Sequence, residues 1–349
     1  NTEKRFVCVS RSRRFGKTMA GNMLSAYFSK GCDSRALFDK LKISKHPSYE
    51  KFLNKLNVIQ LDVNSIYSTR TPAEIESGLD PKNRDVVPIF TRAIVSELQV
   101  EFPSANINGE ESLAAAILKV YAKTGEQFVI FLDEYDTPIQ EAYIDEFWTE
   151  MTAFIRNLFN ATFKTNPYLE RAILTGITRV SKESIFSDLN NLKVDTMTNA
   201  RYECDFGFTE EEVKNELLRY NLESSFDKVK SWYDGFRIGN SQGIYNPWSV
   251  TQYLDEGVLG NYWANTSENS LVEKLIREGS SNVKESMEKL LNGDSIEALI
   301  DDEIVFNLID KNESGIFSLL LAAGYLRIIS SVDESGVRKK YREIGRAHV

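Results

Sequence analysis

The sequence predicts a three-layer α/β fold with a mainly parallel sheet, followed by a mostly helical second domain. Three observations carry the α/β reading. Phe6-Val7-Cys8-Val9 and Phe128-Val129-Ile130-Phe131-Leu132 are unbroken apolar runs, as strands covered on both faces require. Stretches with apolar residues three and four apart lie between such runs, so strands alternate with helices. The polar turn Ser10–Gly16 leads from the first strand straight into a helical pattern.

Taken in order, the strand at 6–9 is followed by a helix from Lys17. Its apolar positions, Met19, Met23, Leu24, Tyr27 and Phe28, are expected to form the buried face, and Gly31 its stop. Val58–Val63 is a second strand. Asp80–Asp85 reads as a polar loop, with helices at Val86–Phe102 and Glu111–Ala122. After the central strand, Thr137 is the expected N-cap, Pro138 the first helical residue and Gln140 the return arm of a capping box, for a helix reaching about Ala161. Leu169–Gly176 contains the fourth strand.

The texture changes near Cys204. Thr209 and Glu212 have capping-box spacing, with Phe208 and Val213 placed as a hydrophobic staple. Helical patterns cover 210–220, 223–233, 247–255, 268–278, 283–292 and 315–323. Strands at 325–331 and 337–342 suggest a hairpin, and a helix followed by a hairpin is compatible with a winged-helix-like module. The expected division is a core over 1–205 and a helical lid or winged-helix-like domain over 206–342. Residues 343–349 resemble one frame of a sequencing-adapter oligonucleotide and are expected to lie outside the fold. A strand beginning at Arg5 likewise suggests that upstream sequence is missing and the chain is a fragment.

Composition narrows the function classes. The 349 residues suffice for two domains, and 51 Asp plus Glu against 42 Lys plus Arg give a net charge of −9, so no global basic surface exists for nucleic acid. Cys8, Cys32 and Cys204 are scattered and odd in number, which favours a reducing cytoplasmic setting over disulfides or zinc. With two histidines, His46 and His348, a Ser-His-Asp triad has no support. The longest apolar run, Ile316–Leu326, is about half of what a membrane helix needs.

The chemistry concentrates in three places. Arg14-Phe15-Gly16-Lys17-Thr18 sits between a strand and a helix, where backbone N–H groups and the helix dipole favour phosphate. Gly16 would let the backbone approach, Lys17 would reach the outer phosphates, and the Thr18 hydroxyl would bind Mg²⁺. The first glycine of the phosphate-loop pattern is replaced by Arg11, and Arg11, Arg13 and Arg14 form a basic cluster open to three readings, phosphate binding, a solvated turn or a nucleic-acid contact. Asp133-Glu134 ends the central strand; Asp133 would hold Mg²⁺ and Glu134 would polarise a water. Thr175 or Thr178 would sense the last phosphate, and Arg179 would stabilise transition-state charge or pair with a local carboxylate. No guanine-reading pattern accompanies these residues, so ATP is the expected nucleotide. The aromatic groups Trp232–Phe236, Tyr245–Trp248 and Tyr262-Trp263 read as packing between domains more than as base-stacking platforms.

Together these residues resemble the AAA-ATPase-like family of bacteria and archaea. The resemblance rests on Arg13–Thr18, Leu132–Ile139, Thr175–Ile177, Ser184–Ser187, Leu189–Leu192, Gly207–Thr209, Trp232–Gly235, Tyr245–Ser249 and Ala323–Leu326, in order over nearly the whole chain. It implies ATP and Mg²⁺ binding by Lys17, Thr18 and Asp133, with Glu134 activating water. It also implies that Arg11 in place of glycine is a family trait, as a proline at the position of Ser12 would be. Members are often fused to a PD-(D/E)xK nuclease domain, which on this resemblance is expected to start beyond the residues of this sequence. The expected function is Mg²⁺-dependent ATP hydrolysis driving movement in a fused or partner effector. The alternatives are a nucleotide-gated interaction module without turnover and a nucleic-acid-binding regulator.

Overall fold

The computed structural model describes residues 5–62, 86–109, 111–144, 166–179, 192–262, 270–301, 309, 312–332 and 338–346. The chain divides into two compact units. One comprises Asn1–Cys8, Thr18–Thr175 and Lys182–Lys193; the other comprises Val9–Lys17, Gly176–Ser181 and Val194–Val349.

Five strands, β1 (Phe6–Ser10), β2 (Asn57–Asp62), β3 (Phe128–Asp133), β4 (Leu169–Gly176) and β5 (Leu192–Asp195), form one sheet in the order β2-β3-β4-β1-β5. β2 pairs parallel with β3, Asn57 opposite Phe128 through Asp62 opposite Asp133, and β3 pairs parallel with β4. Every residue of β1 and β3 is buried, as their unbroken apolar runs predict. β2 instead alternates buried and exposed positions, as befits an edge. β4 lies between β1 and β3, so the strands carrying the two expected motifs are not neighbours.

The first unit carries α1 (Lys17–Phe28) from Thr18 on, α2 (Val86–Glu101), α3 (Leu113–Thr124) and α4 (Thr137–Ile144). Tyr27 and Phe28 pack with Phe38, Tyr49 and Leu53 against Val129 and Phe131. The expected buried face of α1 needs correction. Met19 and Met23 are 69% and 48% exposed, and the covered residues are Leu24, Tyr27 and Phe28. α3 begins and ends on local signals: the Ser112 hydroxyl accepts from Ala115 N–H, and Gly125 at φ 70° closes it. α4 starts one residue earlier than expected. Thr137 is already helical, and Gln140 Nε2 donates to Asp136 Oδ2 at 3.0 Å. Its expected continuation to Ala161 lies outside the described residues.

The second unit carries α5 (Glu210–Arg219), α6 (Phe226–Tyr233), the hairpin β6 (Phe236–Ile238) and β7 (Ser241–Ile244), α7 (Pro247–Glu256), α8 (Ser270–Glu278), α9 (Ser281–Leu291), β8 (Ile296–Asp301), α10 (Glu313–Ala323), β9 (Leu326–Val332) and β10 (Arg338–Arg346). The Thr209–Glu212 capping box forms with both of its arms. Phe208 packs on the cluster of Val213, Leu217, Val229, Tyr233, Tyr245 and Val250. β9 and β10 make the expected hairpin, and β8 joins them in the antiparallel order β8-β10-β9. With α10 between β8 and β9, that is the strand order of a winged helix. β10 continues through Glu343–Arg346, which pair with Ser330, Ile328, Arg327 and Leu326, positions the sequence reading left outside the fold. Backbone pairing explains the difference, since ladder hydrogen bonds need no particular side chain. Among the described residues no helix is long and apolar enough to cross a membrane. Cys8, Cys32 and Cys204 are free thiols.

Candidate functional site

The turn after β1 is built within the second unit. Arg14 at φ 65° and Gly16 at φ 78° both take the left-handed region, which costs a non-glycine residue about 1–2 kcal/mol. Such turns aim successive backbone N–H groups into a concavity suited to anions. α1 begins at Lys17, adding the positive end of its dipole. Lys17 Nζ donates to Arg11 O at 2.9 Å and Ser12 O at 3.0 Å, and the side chain is buried. Arg14, Gly16 and Thr18 are exposed. Phe15 is 1% exposed, packed with Met197, Phe236, Ile238 and Ile244, so its side chain anchors the turn and only its backbone is available to a ligand.

Arg11 requires a correction. None of the expected readings, phosphate contact, solvated turn or nucleic-acid contact, describes it. Its side chain is fully buried. Nη2 meets Asp195 Oδ1 at 2.7 Å and Tyr202 O at 3.2 Å; Nη1 donates to Ser10 O and Thr196 O, both at 2.9 Å. The guanidinium stands 5.4 Å from the Phe206 ring centre. Burial pulls the Arg11 pKa below its ordinary value, and the Asp195 hydrogen bond and charge oppose that shift. Arg11 is a strut from β1 to the end of β5 and Thr196.

The carboxylate turn belongs to the first unit. Asp133 closes β3, buried, and its Oδ1 accepts from the Thr175 hydroxyl at the end of β4 and from Glu134 N–H at 3.1 Å. Glu134 sits at φ 54°, another non-glycine residue in the left-handed region. Tyr135 N–H donates to Thr175 O at 3.1 Å, carrying β3–β4 pairing one residue past the strand. Of the two threonines weighed as sensors, Thr175 is the one whose hydroxyl meets Asp133. Thr178 is buried, and its carbonyl accepts from Ser10 Oγ at 3.0 Å. Arg179 lines a cavity of about 30 Å³ with Ile300, Asp301 and Ser318, room for a water or two. Among the described residues no three His, Cys, Asp or Glu gather as a metal cage.

A family model described as Predicted AAA-ATPase matches residues 1–186, just over half of the chain. The chain belongs to the AAA-ATPase-like family. Membership brings nucleotide binding and an ATPase-like function as the family's predicted properties. This AAA-ATPase-like chain is also similar to the "Uncharacterized protein in vnfD 5'region" of Azotobacter chroococcum mcd 1, 26% identical over 227 residues. That match covers 65% of this chain and 42% of the relative, so the chain spans about two fifths of the relative's length.

Sequence reasoning missed Asp195, and it named Phe236, Asn246 and Trp248 only within packing groups, without placing them at the turn after β1. One signal was present. Phe15 is an apolar ring inside a polar phosphate turn, and such a ring needs a hydrophobic partner elsewhere in the chain.

Proposed function

We propose that the chain is a Mg²⁺-dependent ATPase module in which Lys17 binds the outer phosphates of ATP and Asp133 serves the metal ion. The observation that carries the reading is the strand order β2-β3-β4-β1-β5 with the Thr175 hydroxyl on Asp133. A strand inserted between the phosphate strand and the carboxylate strand, ending in a polar residue, is what the additional-strand class of such ATPases requires. The backbone of Arg14–Gly16 cradles the phosphates, and Lys17 leaves its two carbonyl partners for the outer ones. The Thr18 hydroxyl and Asp133, whose Oδ1 already accepts from Thr175 and Glu134 N–H, would hold the cation. Mg²⁺ typically takes one or two protein oxygens plus phosphates and water, and it would offset phosphate charge here. Glu134 orients and polarises the attacking water, and Thr175 reports the state of the last phosphate through Asp133. In this reading residues 1–205 form the ATPase core and 206–342 a lid that passes the hydrolysis signal to a fused or partner effector in the cytoplasm.

One observation favours a second reading, a nucleotide-gated module without useful turnover. Arg179 shares its cavity with residues of β8 and α10, a place suited to coupling as much as to catalysis. Nucleic acid is less favoured. α10, which occupies the place of a winged helix's recognition helix, carries no Lys or Arg and is largely buried.

Single-turnover hydrolysis and ATP binding test the proposal. Glu134→Gln is expected to bind ATP normally and cleave it at least ~100-fold more slowly. Lys17→Ala should lose more than about tenfold in affinity. Equal binding and turnover by both variants and the parent chain would reject it.

A further inference from the structure

Three segments beyond residue 186 meet the turn after β1 inside the second unit. Gly207, at φ 89°, backs onto Phe15 so closely that a Cβ there would lie 3.1 Å from Cε1 of the ring and 2.4 Å from Ile244 Cγ2. Phe236 stands edge-on to Phe15 with ring centres 5.0 Å apart. Asn246 Nδ2 donates to Arg13 O at 3.4 Å, while its Oδ1 accepts from Ser249 N–H at 3.1 Å and caps α7. The Arg14 guanidinium lies 5.3 Å from the Trp248 ring centre, and Trp248 remains 36% exposed. Reciprocal backbone hydrogen bonds between Phe208 and Tyr245 fix two of these segments to each other.

We infer that Asn246 and Trp248 are positioning residues of the nucleotide site, holding Arg13 and Arg14 in the shape that presents the turn's N–H groups to phosphate. The inference rests on the ATP-binding reading above. Gly16 takes the left-handed region freely, but Arg14 has little intrinsic reason to hold it, so neighbours must impose that part of the turn's shape. Phe236 and Gly207 supply the apolar seat, and their loss would damage packing generally. Asn246 and Trp248 act on the polar rim, where their contribution can be separated from folding. Asp at 246 keeps an N-cap acceptor for Ser249 N–H but has no N–H to donate to Arg13 O, and Ser keeps the acceptor on a shorter side chain without the amide donor. Phe at 248 keeps a ring for the Arg14 guanidinium, whereas Leu removes it.

The test titrates the full chain with Mg²⁺-ATP, using Lys17→Ala as control and thermal melting to check each fold. Asn246→Asp, Asn246→Ser and Trp248→Leu are expected to melt close to the parent yet bind ATP about five- to tenfold more weakly, as loss of one hydrogen bond or one cation–π contact predicts. Trp248→Phe should recover most of the affinity. ATP should also change the parent's indole emission, and that change should vanish in Trp248→Phe. Parental affinity in both Asn246 variants and Trp248→Leu overturns the inference alone. A parent chain that binds ATP no better than Lys17→Ala overturns the ATP reading and this inference together.

Discussion

The turn after β1 and the turn after β3 each place a non-glycine residue in the left-handed region, Arg14 at φ 65° and Glu134 at φ 54°, yet they are held by different means. The carboxylate turn is held locally. Among its partners are Thr175 on the adjacent strand, its own Glu134 N–H, and the Asp136–Gln140 contact at the start of α4. The phosphate turn is held by residues far along the chain: Asp195, Thr196 and Tyr202 on Arg11, Phe236 on Phe15, Asn246 on Arg13, and Trp248 on Arg14. A turn lacking its first glycine keeps its shape only if distant structure imposes it. This chain therefore couples its phosphate turn to segments outside the family-matched residues.

The most severe break in that comparison is Asp195→Ala. It leaves the Arg11 guanidinium buried without its carboxylate, which typically costs 3–5 kcal/mol. Denaturant unfolding is expected to show a loss of that size. Arg11→Gly, which restores the glycine of the phosphate-loop pattern, should also destabilise the chain and should not improve it. A stable Arg11→Gly chain would mean the strut is dispensable.

Thr175→Val tests the local side at a smaller scale. The isosteric change removes the donor to a buried carboxylate, and hydrogen bonds to charged groups contribute about 1.5–3 kcal/mol. A loss of about 2 kcal/mol in urea unfolding is expected. A loss matching that of Asp195→Ala would erase the distinction between the two turns.

The same contrast explains what was legible in the sequence. β1, β3 and β4, the Thr209–Glu212 box and the β9–β10 hairpin rest on patterns within a few residues, and they were read correctly. β5, β6, β7 and β8 were missed. β6 and β7 have only three and four residues, and β8, Ile296-Glu297-Ala298-Leu299-Ile300-Asp301, buries alternate positions under a sheet that no local pattern announces. Met19 and Met23 matched a helix face by spacing, but spacing alone does not say which of two apolar flanks is covered. Lys17, Asp133, Glu134 and Thr175 could be singled out as candidates because motif residues are adjacent in sequence or end a strand. The Arg11–Asp195 pair joins positions 184 apart, and a charged residue in a polar turn gives no sign that it is buried.

The smallest expected effect concerns Glu134 and has the opposite sign. A glutamate at φ 54° is strained by about 1–2 kcal/mol relative to the right-handed region, and glycine is not. Glycine also gives the unfolded chain more freedom, which returns part of that gain. Glu134→Gly is therefore expected to raise stability by several tenths to about 1 kcal/mol without nucleotide, read as a melting temperature up by a few degrees. On the proposed mechanism the same substitution should also remove hydrolysis, because the carboxylate proposed to activate water goes with it. A gain in stability with loss of turnover would mark Glu134 as a residue whose backbone strain is kept for its chemistry. A fall in stability would mean instead that the Glu134 side chain holds its own turn, and the carboxylate turn would then depend on side-chain anchors as the phosphate turn does.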